Sequence, residues 1–258
     1  MPAGPGPAAS RPPRITGHDG AEAGGGLPCS HTARMYAHAR SRFTTACRRA
    51  IRPDKTGPML PVRVCLPTGA VHPPDGPDWL HEIKHDGFRM IARRDGDRVR
   101  LISRRGLDWG DRFPAVVAAV EALAVRSCTI DGEVIASRDD GLADFELLRY
   151  RRRDAAVSLV AFDLIELDGR DLRHERIETR KAELSLLLAG CGPAIVLNSV
   201  FNDPGPTVFK YACALGCEGI VSKRRGSRYV AGRTDHWLKI KNPAAPAVRR
   251  EAEEDWSR

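Results

Sequence analysis

Apolar positions along this chain recur with two different periods, and their alternation sketches most of a fold. Phe88 to Arg94 and Arg98 to Ser103 are β-prone runs flanking Asp95-Gly96-Asp97, a turn signal, so the spacing predicts a hairpin. Phe113, Val116, Val117, Val120, Leu123 and Ala124 follow the helical period instead. Cys128 to Ala136, Ser158 to Leu167 and Ala194 to Phe201 read as strands, with a helix over Glu178 to Leu188 between the last two. Another helix is predicted over Pro206 to Leu215, its proline in the first turn where no helical hydrogen bond is lost. Strands over Glu218 to Lys223 and His236 to Lys241 close the series. Strands with interspersed helices predict an α+β domain of antiparallel character.

Outside this region the pattern fades. Residues 1–30 are rich in Pro, Gly, Ala and Ser, with too few large apolar side chains to offset the entropy of ordering. Thr32 to Arg52 contains no acidic residue. That stretch fits a basic arm on phosphates, an organellar transit segment, or translated sequence upstream of the true start. The expected organisation is a disordered basic segment over 1–57, one domain over 58–243, and a tail over 244–258 that is too short for another domain.

Composition changes this picture in two places. An apolar fraction of 42% with 29% charged residues is that of a globular protein. No apolar run reaches the length of a membrane span, and no secretory signal opens the chain, so a cytoplasmic protein with no membrane partner is expected. Seven irregularly spaced cysteines fit a reducing compartment rather than a disulfide scaffold. The net charge of +8 suggests nucleic acid, yet residues 1–60 alone carry +6 of it. More telling, the 41 basic residues comprise 34 Arg and only seven Lys. Arginine keeps its proton, whereas lysine can become a neutral amine nucleophile, so each lysine invites attention.

Four of the seven fall in three strand-like segments. Lys84 ends a short strand before the turn His85-Asp86-Gly87, Lys223 ends another, and Lys239 and Lys241 share one face of a third. Asp131-Gly132-Glu133 and Glu218 add carboxylates on separate strands, able to hold a divalent cation. Gathered cations, carboxylates and an amine suit attack on a phosphate, where stabilising anionic charge is most of the catalysis.

Lys84-His85-Asp86-Gly87-Phe88-Arg89 resembles the K-x-D-G-x-R motif of covalent nucleotidyltransferases: DNA ligases, RNA ligases and capping enzymes. Ser103-Arg104-Arg105-Gly106, Asp131-Gly132-Glu133, Ala161-Phe162-Asp163-Leu164, Glu218 to Lys223 and Trp237 to Pro243 resemble the rest of that motif series, in order. Each piece alone has a bland reading as a turn, a core aromatic or a solvated strand end; six in order are specific. The wording, with Tyr229, Gly232 and Arg233, is most similar to the ligase domain of bacterial ATP-dependent end-joining ligases, and Pro58-Met59-Leu60 to its opening.

The resemblance implies an adenylation (nucleotidyltransferase, ATP-grasp-like) domain of antiparallel sheets flanked by helices. It implies Lys84 as the nucleophile that takes AMP from ATP, and Glu82 and Phe162 as contacts to adenine. Arg89, Glu133 and Arg104 would contact ribose or phosphate, and Lys223, Lys239 and Lys241 phosphate oxygens. Glu218, with Glu133, would hold Mg²⁺ or Mn²⁺. The implied substrate is nicked or broken double-stranded DNA in the bacterial nucleoid. Fifteen residues after Pro243 leave no room for the C-terminal OB-fold of complete ligases, so an OB-fold or end-joining protein in trans is an expected partner. An RNA ligase or capping-type enzyme, and a catalytically weak DNA-end-binding remnant, are the alternatives. Cys213 and Cys217 are expected to be core residues, Cys29 and His31 incidental, and Arg149 to Arg153 a solvated loop.

Overall fold

In the computed structural model, residues 62–138, 141–150 and 156–250 are described. The expected disordered segment 1–57, the Pro58-Met59-Leu60 opening, Cys29, His31, Arg151 to Arg153 and the tail beyond Arg250 lie outside them.

The predicted hairpin forms as β3 (Phe88–Asp95) and β4 (Arg98–Ser103), with Gly96 at φ 59° in its turn. The predicted helix is α1 (Pro114–Glu121), which opens on its proline and buries Val116 and Val120. Next come β5 (Ser127–Ser137), a short α2 (Phe145–Arg149), β6 (Ala156–Leu167), β7 (Arg170–Asp171) and α3 (Ile177–Leu187). The predicted strand Ala194 to Phe201 is instead two: β8 (Ile195–Leu197) and β9 (Val200–Phe201), in different sheets. The chain crosses between sheets at Asn198-Ser199, so no single ladder can hold the whole run. Helix α4 (Gly205–Ala214), β10 (Gly219–Arg224) and β11 (Gly232–Lys241) end the series, and β1 (Cys65–Gly69) and β2 (Trp79–Lys84) precede the hairpin.

The strands build two sheets, ordered β1-β11-β10-β2-β9 and β4-β3-β5-β6-β7, with β8 beside β6. Pairing is antiparallel except for β1 with β11 and β6 with β8. The architecture is thus α+β, as the pattern predicts. A large core of Met90, Leu101, Val116, Val120, Ile130, Leu164 and Leu184 lies between the second sheet and its helices. A small one under α4 joins Val208, Ala212, Ile220 and Ile240. A third, of Cys65, Ile91, Ile165, Tyr229 and Trp237, draws on both sheets and ties them together. The cleft opens beside this tie. No helix among the described residues is long and apolar enough to cross a membrane.

Candidate active site

Antiparallel register decides which side chains share a face. Gly219 of β10 stands opposite Lys84 on one side and Lys241 on the other, and Val221 opposite Glu82 and Lys239. Directly opposed residues point the same way, so Glu82, Lys84, Lys223, Lys239 and Lys241 line one face of the first sheet. Gly219, at φ 148°, is needed there: a Cβ would lie 2.0 Å from the Ile240 carbonyl oxygen. The second sheet faces this array with Arg89, opposite Glu133, and with Phe162. In the β5–β6 ladder Asp131 pairs with Asp163 and Gly132 with Ala161, so Phe162 is the unpaired extra residue of a bulge. Bulges re-aim side chains beside active sites, and this one brings a core-type aromatic to the cleft wall.

A cleft of about 280 Å³ is lined by all nine expected nucleotide-binding residues: Glu82, Lys84, Arg89, Arg104, Glu133, Phe162, Lys223, Lys239 and Lys241. The tenth expected residue, Glu218, reaches the same place by accepting a hydrogen bond from Lys84 Nζ. Six motifs spread over 160 residues of chain therefore converge.

Beneath the lining lies a layer of paired charges. Arg89 donates to both oxygens of Asp131, at 3.0 and 2.7 Å, and the Tyr229 hydroxyl donates to Asp131 at 2.5 Å. Burial works against the charge of Arg89, but Asp131 outweighs it and holds the guanidinium above its usual range. Arg180 grips Asp163 through two bonds of 2.7 and 2.9 Å, with no exposed surface on either side chain. Glu82, nearly inaccessible itself, lies 2.6 Å from Lys181 Nζ and 3.0 Å from Lys223 Nζ, and accepts from Asn198 Nδ2 at 3.2 Å. The Lys181 pair is ionic: its angles fall outside hydrogen-bond geometry. Burial lowers the Lys223 pKa, partly opposed by Glu82, and its ammonium sits 4.0 Å from the Trp237 ring centre and 4.8 Å from that of Phe162. Burial also pushes the Glu133 carboxyl up to about 8, against the attraction of Lys84 and Arg89.

Asp131, expected among the carboxylates able to hold a cation, pairs instead with Arg89 and Tyr229; Asn198, Lys181 and Arg180 were not expected in the site. Lys181 had a signal: it is a fifth member of a scarce class. The others had none, since their role is fixed by partners remote in sequence. At the far end of the nucleophile turn, Arg250 donates to both oxygens of Asp86 at 2.9 Å and covers the Phe145 ring at 4.4 Å. The first residues of the tail thus pack against that turn; residues 246–250 are helical. Cys213 and Cys217 are half-buried thiols whose pKa burial raises. No group of three or more His, Cys, Asp or Glu that suits a metal occurs among the described residues.

The sequence profile of the family described as "ATP dependent DNA ligase domain" matches residues 58–241, well over half of the chain. The chain belongs to this family. As an ATP dependent DNA ligase domain it is 34% identical over 206 residues to the multifunctional non-homologous end joining protein LigD of Pseudomonas aeruginosa, covering 76% of this chain and 24% of that protein. It therefore spans about a quarter of the length of the curated LigD proteins it matches. A solved structure of mycobacterial DNA ligase D complexed with ATP and MES superposes with TM-score 0.62 at 30% identity, covering 69% of this chain and 59% of that one. The ligase domain of Mycobacterium tuberculosis LigD gives the same TM-score at 32% identity, covering 69% and 60%. The α+β fold of curled, largely antiparallel sheets is that of the LigD adenylation domain, matched in part.

Proposed function

We propose that this ligase domain forms a covalent lysyl–AMP intermediate at Lys84 and passes the AMP to a 5′-phosphate at a break in DNA. One observation carries the reading: Lys84 Nζ, oriented by Glu218, stands at the mouth of a cleft walled by Arg89, Arg104, Lys223, Lys239 and Lys241. An amine amid that many cations faces a polyanion, and its placement converts a bimolecular attack into a positioned one.

In the first step the Lys84 amine, its proton lost, forms a bond from Nζ to the α-phosphorus of ATP. The bond from that phosphorus to the bridging oxygen breaks, and pyrophosphate leaves with the electron pair. Lys239 and Lys241 neutralise charge accumulating on the phosphate oxygens. Phe162 offers a stacking face to adenine, Glu82 a polar edge, and Arg89, held still by Asp131 and Tyr229, a donor to ribose or phosphate. In the second step an oxygen of the DNA 5′-phosphate displaces Lys84 from the AMP phosphorus, leaving an anhydride. In the third the neighbouring 3′-hydroxyl attacks the DNA phosphorus and AMP departs.

Glu133 and Glu218 supply two carboxylates around Lys84, and the buried acid of Glu133 gains from a cation nearby. Two protein oxygens suit Mg²⁺ or Mn²⁺, which take their other ligands from water and phosphate. Such an ion, when bound, neutralises phosphate charge. The proposed adenylation domain runs from Pro58 to Pro243, and its substrate is nicked or broken duplex DNA in the bacterial nucleoid.

Incubating the chain with a divalent cation and α-labelled ATP, GTP or NAD tests the reading. The expected result is a covalent protein label from ATP alone, absent from Lys84→Ala. Label from no nucleotide defeats the self-adenylylation step, and label from GTP alone points to the capping-type alternative.

A further inference from the structure

The buried face of α3 is unusual: Ile177, Arg180, Lys181 and Leu184 all point inward, so two cations interrupt an apolar stripe. Arg180 is accounted for by Asp163. Lys181 is not part of any motif, yet it is 8% exposed and lies 2.6 Å from a carboxylate at the floor of the nucleotide cleft. A buried ammonium is costly unless it is paired; an apolar residue would serve helix packing at no such cost. The Glu82 carboxylate meanwhile has Lys223 and Asn198 on its other oxygen. Asn198 also donates to the Ile83 carbonyl oxygen at 3.2 Å, and its own oxygen faces His85 Nε2 at 3.1 Å. Lys181 is thus the group that fixes the remaining oxygen and the rotamer of Glu82. Asn198 donates to one oxygen, whereas the other pairs ionically with Lys181 and accepts no hydrogen bond. The remaining acceptor capacity of the carboxylate suits an exocyclic amine and repels a carbonyl oxygen, which is the difference between the six-positions of adenine and guanine.

We propose that Lys181 is a positioning residue for nucleobase selection: it anchors Glu82 so that the cleft accepts a base bearing an amine and rejects one bearing an oxo group. The proposal rests on the adenylylation reading, which supplies the nucleotide. Losing the anchor frees Glu82 to turn toward Lys223, and the carboxylate no longer meets the base edge in one orientation. The consequence is a loss of discrimination more than a loss of chemistry, because Lys181 touches neither Lys84 nor its partner Glu218 in the contacts described.

The test compares wild type with Lys181→Met, Lys181→Arg, Glu82→Gln and the double variant Glu82→Gln/Lys181→Met. Covalent labelling is followed over a range of ATP and GTP, and calorimetric binding of each nucleotide gives a readout independent of chemistry. The expected result for Lys181→Met is a half-saturating ATP concentration raised about tenfold, the scale of one hydrogen bond to a charged group. GTP should change little and the maximal rate should stay within about threefold, so the ATP-to-GTP preference falls about tenfold. Lys181→Arg should retain most of the preference. The double variant, in which Lys223 loses the Glu82 carboxylate just as it does in Glu82→Gln alone, should be no worse than that single variant, since Lys181 acts through Glu82. Three results would overturn the proposal: an unchanged ATP-to-GTP ratio in Lys181→Met, a parallel fall for both nucleotides, or a double variant worse than Glu82→Gln by the full single effect. A wild type that binds ATP but forms no adduct defeats adenylylation alone, and the calorimetric ratio still decides Lys181. A wild type that binds neither nucleotide defeats both.

Discussion

The floor and the rim of the cleft use the same kinds of residue for different ends. On the floor, Arg180 and Asp163 expose none of their side-chain surface, and Glu82 and Lys223 expose 2% each. On the rim, the Lys84 side chain exposes 22%, and Arg104 and Arg233 are open to solvent. Every floor charge described above lies within ion-pair distance of an opposite one on another element: Arg89 on β3 with Asp131 on β5, Arg180 on α3 with Asp163 on β6, Lys181 on α3 with Glu82 on β2. Removing such groups from water costs several kcal/mol each, and pairing repays that only when the geometry is good. The floor therefore acts as scaffold: its pairs fix where strands and helix meet. Rim cations pay little desolvation and keep donor capacity for an anion. Charge at a cleft is therefore weak evidence of ligand contact until its burial and partner are known.

Breaking a floor pair should have the largest effect. Asp163→Asn leaves the Arg180 guanidinium buried against a neutral group, and the expected loss is about 3–5 kcal/mol in denaturant unfolding. Asp163→Leu combined with Arg180→Met should recover most of it, because a well-packed apolar pair forgoes both desolvation terms. A loss below about 1 kcal/mol for Asp163→Asn would place this pair with screened surface bridges instead.

Glu133 lies between floor and rim and sharpens the comparison through pH. It is half-buried, faces the cleft, and its carboxyl is raised from 4.5 to about 8, first by burial. Below its ordinary value both folded and unfolded chains hold the proton, and the group costs nothing. Between 4.5 and about 8 the unfolded chain ionises while the folded one keeps the proton, so stability falls as pH rises. Glu133→Gln lacks this term. Without nucleotide or metal, the variant and wild type should melt together near the acid end and diverge toward alkaline pH, the variant melting higher. A divergence of the opposite sign would mean that Lys84 and Arg89 dominate over burial.

How much of this was legible depended on whether the information was local. The hairpin of β3 and β4, helix α1 and strands β5, β6, β10 and β11 are written in short-range period and turn residues, and they form where the pattern places them. The lining of the cleft was legible because motifs keep their order. Gly132 shows what was not: the period places it in a strand, but does not say why a glycine stands in the middle of β5. There a Cβ on Gly132 would come within 2.7 Å of Leu159 Cδ1, and the register slip beside it leaves Phe162 unpaired. The glycine serves a close approach between strands, which local sequence does not reveal. The split of β8 from β9 is similar, since the polar Asn198 at the break is paid for by partners more than a hundred residues away on β2. Arg180 and Lys181 escaped sequence reading because a buried pair is defined by its partner, whereas Glu82, Arg89 and Lys223 on the same floor were legible through their motifs.

The smallest effect on stability belongs to the rim, and Arg104 is its cleanest example. It is exposed in the turn after β4, beside Arg89 at the edge of the cleft. Arg104→Ala should change unfolding stability by no more than about 0.5 kcal/mol, as for other surface substitutions. If the guanidinium meets a phosphate, the same change removes one released counterion. The slope of log affinity for nicked DNA against log salt should then become shallower by about 0.9, with weakening that is uniform across sequences. A stability loss on the floor's scale would erase the distinction between the two layers. Weaker binding at an unaltered salt slope would leave Arg104 on the rim but take the phosphate away from it.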